Sequence, residues 1–114
     1  MGKVTEQEVC RRLNVEIREN YEELSWIGIK MDTISSLENV SVNIDDDSFY
    51  SGNGDYYFNV FVSFMVKTFD EDNNLIGYNT KRYVTQPHCK FNIKENDIDF
   101  IVKIIEPICL TPHH

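Results

Sequence analysis

The sequence predicts a mainly β chain, an antiparallel sandwich of six to seven strands with one α-helix at the N-terminus. Within the stretch from Tyr56 to Phe69, every even position from 58 to 66 is apolar. That alternation is the period of a strand with one buried face. A polar cluster at residues 70–74 follows, and then a second β-rich run at residues 75–84. Because turn residues join two such runs, they predict a long antiparallel hairpin.

The helix is predicted over about residues 5–24. Thr5 followed three residues later by Glu8 has the form of a capping box, which satisfies the first free amides of a helix. Helical spacing gathers the apolar positions into about a third of the circumference. These positions are Val9, Cys10, Leu13, Ile17, Tyr21 and Leu24. One side of the helix is therefore expected to face a core.

The remaining strands are predicted from shorter alternating runs within a β region of about residues 26–107. The runs lie at residues 27–31, 40–44, 49–50, 91–93 and 98–105. Ser35 and Ser36 interrupt the alternating pattern between the first two runs. Pro107 ends the last run because proline has no backbone amide hydrogen to donate to a sheet. A short C-terminal tail, residues 108–114, is expected to follow.

An alternative fold class uses the same strands. It is an α+β arrangement in which the helix packs on a single curved antiparallel sheet. In that arrangement the helix covers the half-apolar face formed by Phe61, Met65 and Phe69. The two folds differ in whether a second sheet or the helix covers the hairpin.

Length and composition predict one domain over residues 1–114. The chain has 114 residues and 41 % hydrophobic content, enough for one core and too little for two. It contains no run near the ~20 apolar residues of a membrane span, and its first residues do not form an apolar signal region. We therefore expect a soluble, cytoplasmic protein without a membrane interaction.

The cysteines predict free thiols. Cys10, Cys89 and Cys109 are odd in number and spaced like neither a disulfide framework nor a zinc site. Cys10 and Cys109 lie in apolar surroundings and are expected to be buried, which leaves Cys89 as the reachable thiol.

The negative charge is concentrated in one segment. The formal net charge is −8, and residues 32–72 contain nine acids and one base. Clustered acids repel the phosphates of nucleic acid and of anionic membranes, so neither is an expected partner. Basic proteins and cations are therefore the expected partners.

The central hairpin resembles one known family. Val66-Lys67-Thr68-Phe69-Asp70, followed by Asn73-Asn74-Leu75-Ile76-Gly77, is similar to the strand, aromatic-Asp turn and return strand of FxLYD-type bacterial immunoglobulin-like domains. The resemblance implies a β-sandwich and implies no activity.

Acids and tyrosines form the candidate binding residues. Tyrosines rimmed by acids suit a protein or sugar contact. The set is Asp45, Asp46, Asp47, Tyr50, Tyr56, Tyr57, Asp70, Glu71 and Asp72. We expect a non-enzymatic interaction domain, inhibitor-like or regulatory, that binds a basic protein. The alternative is a β-sandwich that binds carbohydrate or calcium at its loop end.

The sequence offers little for catalysis. His88 is the only histidine away from the C-terminus, and neither a serine elbow nor a glycine-rich phosphate loop occurs. The loop after Phe69 lacks an EF-hand, because Leu75 and Lys81 stand where that motif needs Gly and Glu. We therefore expect neither an enzyme, nor a cofactor, nor a bound metal ion, unless the acidic loops converge on calcium.

Overall fold

The computed structural model describes residues 4–45 and 56–113. It contains one α-helix, a short 3₁₀ helix at Met31–Thr33 and seven strands. The helix α1 is Glu6–Asn20, and the strands are β1 Trp26–Ile27, β2 Ile34–Ile44, β3 Tyr56–Phe69, β4 Leu75–Thr85, β5 Cys89–Glu95, β6 Phe100–Ile105 and β7 Ile108–Pro112. The prediction of a mainly β chain with an N-terminal helix is confirmed.

All seven strands belong to one hydrogen-bonded sheet with β3 at its centre. β2 pairs antiparallel with one edge of β3, from Phe58 to Val66. The other edge is shared, because β4 pairs with residues 61–69 and β5 with residues 56–58. β6 extends the sheet beyond β5, and β7 extends it beyond β4. The sheet is mixed, since β1 runs parallel to β7.

The helix supplies the layer that the predicted sandwich assigned to a second sheet. The helix contacts β2 and β6, which lie on opposite sides of β3. Its buried residues Val9, Leu13 and Ile17 join one core with the even face of β3, represented by Phe58 and Phe64. The arrangement is therefore that of the α+β alternative.

The face that receives the helix differs from the one expected in that alternative. The helix packs on the even face of β3, whose positions 58–66 are all apolar and buried. The opposite face remains partly open, with Phe61 39 % and Phe69 45 % exposed. Burial of the wholly apolar face removes more apolar area from water, so the helix takes that face.

The N-terminal elements are close to their predicted bounds. The Thr5 hydroxyl accepts a hydrogen bond from the amide of Glu8 at 3.2 Å, as the capping motif predicts. The helix ends at Asn20, not at residue 24, but Tyr21 and Leu24 still pack against the core. The strand predicted at 27–31 covers only Trp26–Ile27. β2 begins at Ile34, earlier than predicted. Its pairing with β3 continues through the two serines by means of register shifts, where the sequence predicted that the strand would be interrupted.

The C-terminal elements differ more from the prediction. Ile98 lies in a turn, where the Asn96 side chain accepts hydrogen bonds from the amides of Ile98 and Asp99, so the last predicted strand begins only at Phe100. The predicted tail at 108–114 is wrong, because Ile108–Pro112 forms β7 and pairs with β4. The alternate residues Ile108 and Leu110 of β7 are buried. This short alternation was not recognised as a strand because the sequence predicted that the β region ends at Pro107. The short strand predicted at residues 49–50 lies outside the described residues.

Candidate functional site

The structure divides the candidate site residues between the two ends of β3. Asp45, Tyr56 and Tyr57 lie at one end, where the amide of Asp45 donates a hydrogen bond to the carbonyl of Tyr57 at 3.0 Å. Residues 70–72 follow the other end of the strand. At ~3.3 Å per residue, Tyr57 and Asp70 are on the order of 40 Å apart. The described acids therefore do not converge. Residues 46, 47 and 50 of the set lie outside the described residues.

The tyrosine end is packed against β5 and is not purely acidic. Tyr56 stacks on Phe91 with ring centroids 5.4 Å apart. The Tyr57 ring contacts His88 at 4.4 Å, and the ammonium group of Lys90 lies 5.7 Å from the Tyr57 ring centroid. Both tyrosines are half-buried. A cation and an imidazole thus share the surface that the sequence predicted to be an acidic one.

The turn between β3 and β4 uses one of its acids to hold its own backbone. The Asp70 carboxylate accepts hydrogen bonds from the amides of Asp72 and Asn74, both at 2.9 Å. Asn73 takes a positive φ of 63°, which asparagine tolerates better than most residues. The carboxylates of Glu71 and Asp72 remain exposed at the end of the hairpin. The Asp70 carboxylate therefore shapes the turn, and the Glu71 and Asp72 side chains extend into solvent.

The acids that the structure describes are not gathered into a metal site. In the described ranges, no three His, Cys, Asp or Glu side chains lie close enough to hold a metal ion. Calcium takes six to eight oxygen ligands, and the Asp70 carboxylate is already engaged by the turn.

Large apolar side chains are exposed beside the same acids. Phe69 precedes the turn and is 45 % exposed, while Leu75 and Ile76 follow it at 49 % and 64 %. Tyr78, on β4, is 52 % exposed. Residues 69–78 are named the hairpin tip below. A surface that combines charge with exposed apolar side chains is typical of protein contacts.

The hairpin tip extends beyond the strands that flank it. β2 accompanies β3 only as far as Val66, and β7 accompanies β4 only at residues 83–85. The described residues span 56 Å along the longest axis and 25 Å along the next. Over residues 75–81, β4 therefore has one edge without a strand partner in the described part of the chain. This stretch is named the free edge below.

Four cations lie where the hairpin joins the body of the sheet. Lys30, Lys67 and Lys81 line one shallow depression, and Arg82 follows on β4. None of the four forms an ion pair with the residues that the structure describes. They are named the basic cluster below. Among the residues that the structure describes, positive charge without an ion-pair partner therefore lies near the root of the acidic hairpin.

The other strong electrostatic contacts hold the helix to the sheet. Arg12 pairs with Glu8 at 3.0 Å and with Asp99 at 2.9 Å, and its guanidinium lies 4.0 Å from the Phe100 ring centroid. Hydrogen bonds from Arg11 and Arg12 lower the pKa of Glu8 to about 2. Arg12 also lowers the pKa of Asp99, after the larger effect of the Phe100 amide. The cluster joins α1 to the β5–β6 turn and has a structural role.

The cysteines do not have the predicted accessibilities. Cys89 is buried, and desolvation raises the pKa of its thiol to about 11. Cys109 is exposed and Cys10 is partly buried, with a pKa also raised by burial. The predictions that Cys89 is reachable and Cys109 buried are wrong. Cys89 is an inward residue of β5, whereas Cys109 is an outward residue of β7 between the buried Ile108 and Leu110. Thiols with raised pKa values are poor nucleophiles.

Comparisons with known proteins give no information on function, so the function is argued from the residues of the site. No protein-family model, curated protein or solved structure matches this chain. The resemblance to FxLYD-type domains stays a prediction. In the described ranges, no helix combines the length and apolarity that a bilayer span needs.

Sequence analysis missed the free edge and the basic cluster. A signal for each was present, since Leu75 and Ile76 directly follow the acidic turn and Lys81 adjoins Arg82. The free edge itself depends on how far β7 reaches along β4, and residue patterns alone do not show that reach.

Proposed function

We propose that this chain is a non-enzymatic interaction domain that uses its hairpin tip to bind a basic surface of a partner protein. The observation that carries the proposal is the exposure of Glu71 and Asp72 beside Phe69, Leu75 and Ile76 at the projecting end of the molecule. The earlier candidate surface is thereby reduced to its acids at the β3–β4 turn. The tyrosine end is left out of it.

The two kinds of side chain have different roles in such contacts. Acids attract a basic surface over a distance of about a Debye length, which raises the association rate at low salt. Apolar side chains contribute affinity through the area that they bury, at roughly 25 cal/mol per Å² before the costs of association. The turn that presents both is held by the Asp70 carboxylate, so the tip is ordered before binding.

The hairpin tip projects beyond β2 and β7, which also favours binding to a partner. A hairpin that extends past its neighbouring strands reaches a partner without contact from the rest of the domain. The proposal assigns no catalytic step to this chain.

Capture experiments with a charge-matched control test the proposal. The wild type is immobilised beside Glu71→Lys/Asp72→Lys and beside Glu19→Lys/Glu23→Lys. Both double variants change two exposed acids to lysines, and only the first pair lies at the tip. A native lysate is passed over each at ~50 mM and ~500 mM salt, and bound proteins are identified by mass spectrometry.

The expected result is a basic protein that binds the wild type and the Glu19→Lys/Glu23→Lys control at low salt. It is lost from the tip variant and from all three at high salt. Capture that is equal on the tip variant and the wild type would contradict the proposal, as would a lysate that yields no protein distinguishing them.

A further inference from the structure

We propose that the sheet face opposite α1 binds single-stranded nucleic acid along a line of lysine and arginine side chains. This face is named the open face below, and it is a surface separate from the acids of the hairpin tip. The acids counted along the sequence led to the opposite expectation for nucleic acid. The fold distributes the charge differently, because it places most cations of the described strands on one side of the sheet.

Strand register assigns each of these cations to a face. The buried even positions of β3 mark the face that α1 covers, so its odd positions mark the open face. Residues directly opposite each other on paired strands share a face. By this rule the open face holds five of the six lysines and arginines in the described strands. They are Lys67, Arg82 opposite Ser63, Lys90 opposite Tyr57, Lys103 opposite Asn92, and Lys94 opposite Ile101. The sixth, Lys81, is opposite Phe64 on the covered face.

Acids are few on the open face of the described strands. Glu38 reaches it and accepts a hydrogen bond from the Thr80 hydroxyl at 2.9 Å, and Asp45 follows the end of β2. None of the five cations forms an ion pair with a described residue. On the other side of the sheet, residues 6–23 of the helical segment contain six acids and three bases. A chain with a net charge of −8 therefore has one face on which cations predominate.

The five cations follow one line along the molecule. The row that contains Arg82 is four positions along β3 from Lys67, and the row that contains Lys90 is six positions further. Lys103 and Lys94 continue the line by two and four positions on β5 and β6. At ~3.3 Å per position, the line is roughly 45 Å long. An extended polyanion can contact all of these cations, whereas a small anion can contact only one or two.

Aromatic rings lie between the cations on the same face. Tyr57 and Phe61 are odd residues of β3, and Phe61 is 39 % exposed. A depression of about 180 Å³ beside Phe61 is also lined by Asn39, Ser63 and Arg82. A base stacked on Phe61 would have an amide and a hydroxyl beside its edge and a guanidinium beside its phosphate. Cations interleaved with rings are the arrangement by which proteins bind single strands, and an acidic peptide side chain has no planar base to stack.

Fluorescence anisotropy of the purified full-length chain tests the proposal. The probes are fluorescein-labelled single strands of RNA and of DNA, roughly 20 nucleotides long, which exceeds the ~4–16 nucleotides that one such surface contacts. Binding is titrated between ~50 and ~200 mM salt. With four to five phosphate contacts, the logarithm of the binding constant should fall against the logarithm of salt concentration with a slope of about −3. Equal binding of both probes indicates phosphate and base contacts alone, and tighter binding of RNA adds a contact with the 2′-hydroxyl.

Two pairs of substitutions separate the open face from net charge. Lys90→Gln/Lys103→Gln removes two cations of the open face, whereas Arg18→Gln/Lys81→Gln removes one from α1 and one from the covered face. Both pairs change the net charge equally. The first should weaken binding at ~50 mM salt by at least tenfold and make the salt slope shallower by about 1.4, and the second should leave both near wild type. Equal losses in the two pairs would overturn the proposal.

Two substitutions of Phe61 test the stacking contact. Phe61→Leu keeps an apolar side chain without a ring and should weaken binding about tenfold, whereas Phe61→Tyr keeps the ring and should bind as wild type. Circular dichroism and melting temperature verify that each variant is folded. A folded Phe61→Leu that binds as wild type would contradict the assignment to nucleic acid. If this variant does not fold, the two pairs of charge substitutions still decide.

Two other polyanions are measured in parallel, namely poly-glutamate and vesicles that contain phosphatidylserine. We expect both to bind at least tenfold more weakly than the single strands. Poly-glutamate that binds as tightly would identify the open face as a site for acidic proteins, and vesicles that bind as tightly would identify it as a membrane surface. Either result would overturn the proposal, as would a wild type that leaves the single strands unbound at ~0.5 mM protein and ~50 mM salt.

Discussion

Leu13→Ala is the substitution that tests whether α1 belongs to the core. Leu13 is 0 % exposed and packs within the single cluster that includes β3. The change removes three carbon groups, and at ~0.8 kcal/mol each their transfer contributes about 2.4 kcal/mol. The cavity left behind adds to this loss. We expect the free energy of unfolding to fall by about 3 kcal/mol.

Urea denaturation followed by tryptophan fluorescence and circular dichroism measures this loss. Val15→Ala is the control, because Val15 lies on the same helix and is 37 % exposed. The control should cost less than about 1 kcal/mol. Equal and small losses in the two variants would refute the packing of α1 on the sheet. If Leu13→Ala instead lowered association at unchanged stability, the helix would be an interface between copies.

Three further predictions concern a glycine, the thiols and an acid. Gly28→Ala should destabilise by about 2 kcal/mol or more in the same assay, because Gly28 has a φ of +101° and a Cβ would lie 2.2 Å from a carbonyl oxygen of β7. Gly77→Ala, with open space around it, should cost far less. A thiol reagent should label Cys109 first and the buried Cys89 last, and mass spectrometry of the timed reaction would contradict this if Cys89 led. The two helix arginines hold the pKa of Glu8 at about 2, below its ordinary 4.5, so its stabilising effect is present above pH 4.5 and is lost as the pH falls toward 2. The melting temperatures of wild type and Glu8→Gln should therefore converge over that range, and a constant difference would contradict the ion pairs.

The long strands could be predicted because their alternation is unbroken. β3 has its predicted bounds, since the buried residues from Phe58 to Val66 leave one choice of inward face. The helix stripe of Val9, Leu13 and Ile17 is buried as its spacing predicts. Where the pattern was interrupted, as at Pro107, the prediction stopped although the strand pairing resumed.

The candidate site was predicted less well, because sequence does not show how far apart its residues lie in the fold. Sequence places Asp45 and Asp70 within one acidic segment, but an extended strand separates their ends by the whole length of β3. Composition counts charge along the chain and contains no information on that separation. The free edge was unpredictable for a similar reason, because it depends on where β7 stops pairing with β4, near Tyr83.

Carbodiimide cross-linking in a native lysate tests most directly whether the hairpin tip is the binding surface. The reagent joins a carboxylate to an amine only when the two are in contact, and mass spectrometry locates the bond. We predict cross-links from Glu71 and Asp72 to lysines of a basic partner. Cross-links from Asp45 or from the helix acids, with none at the tip, would contradict it.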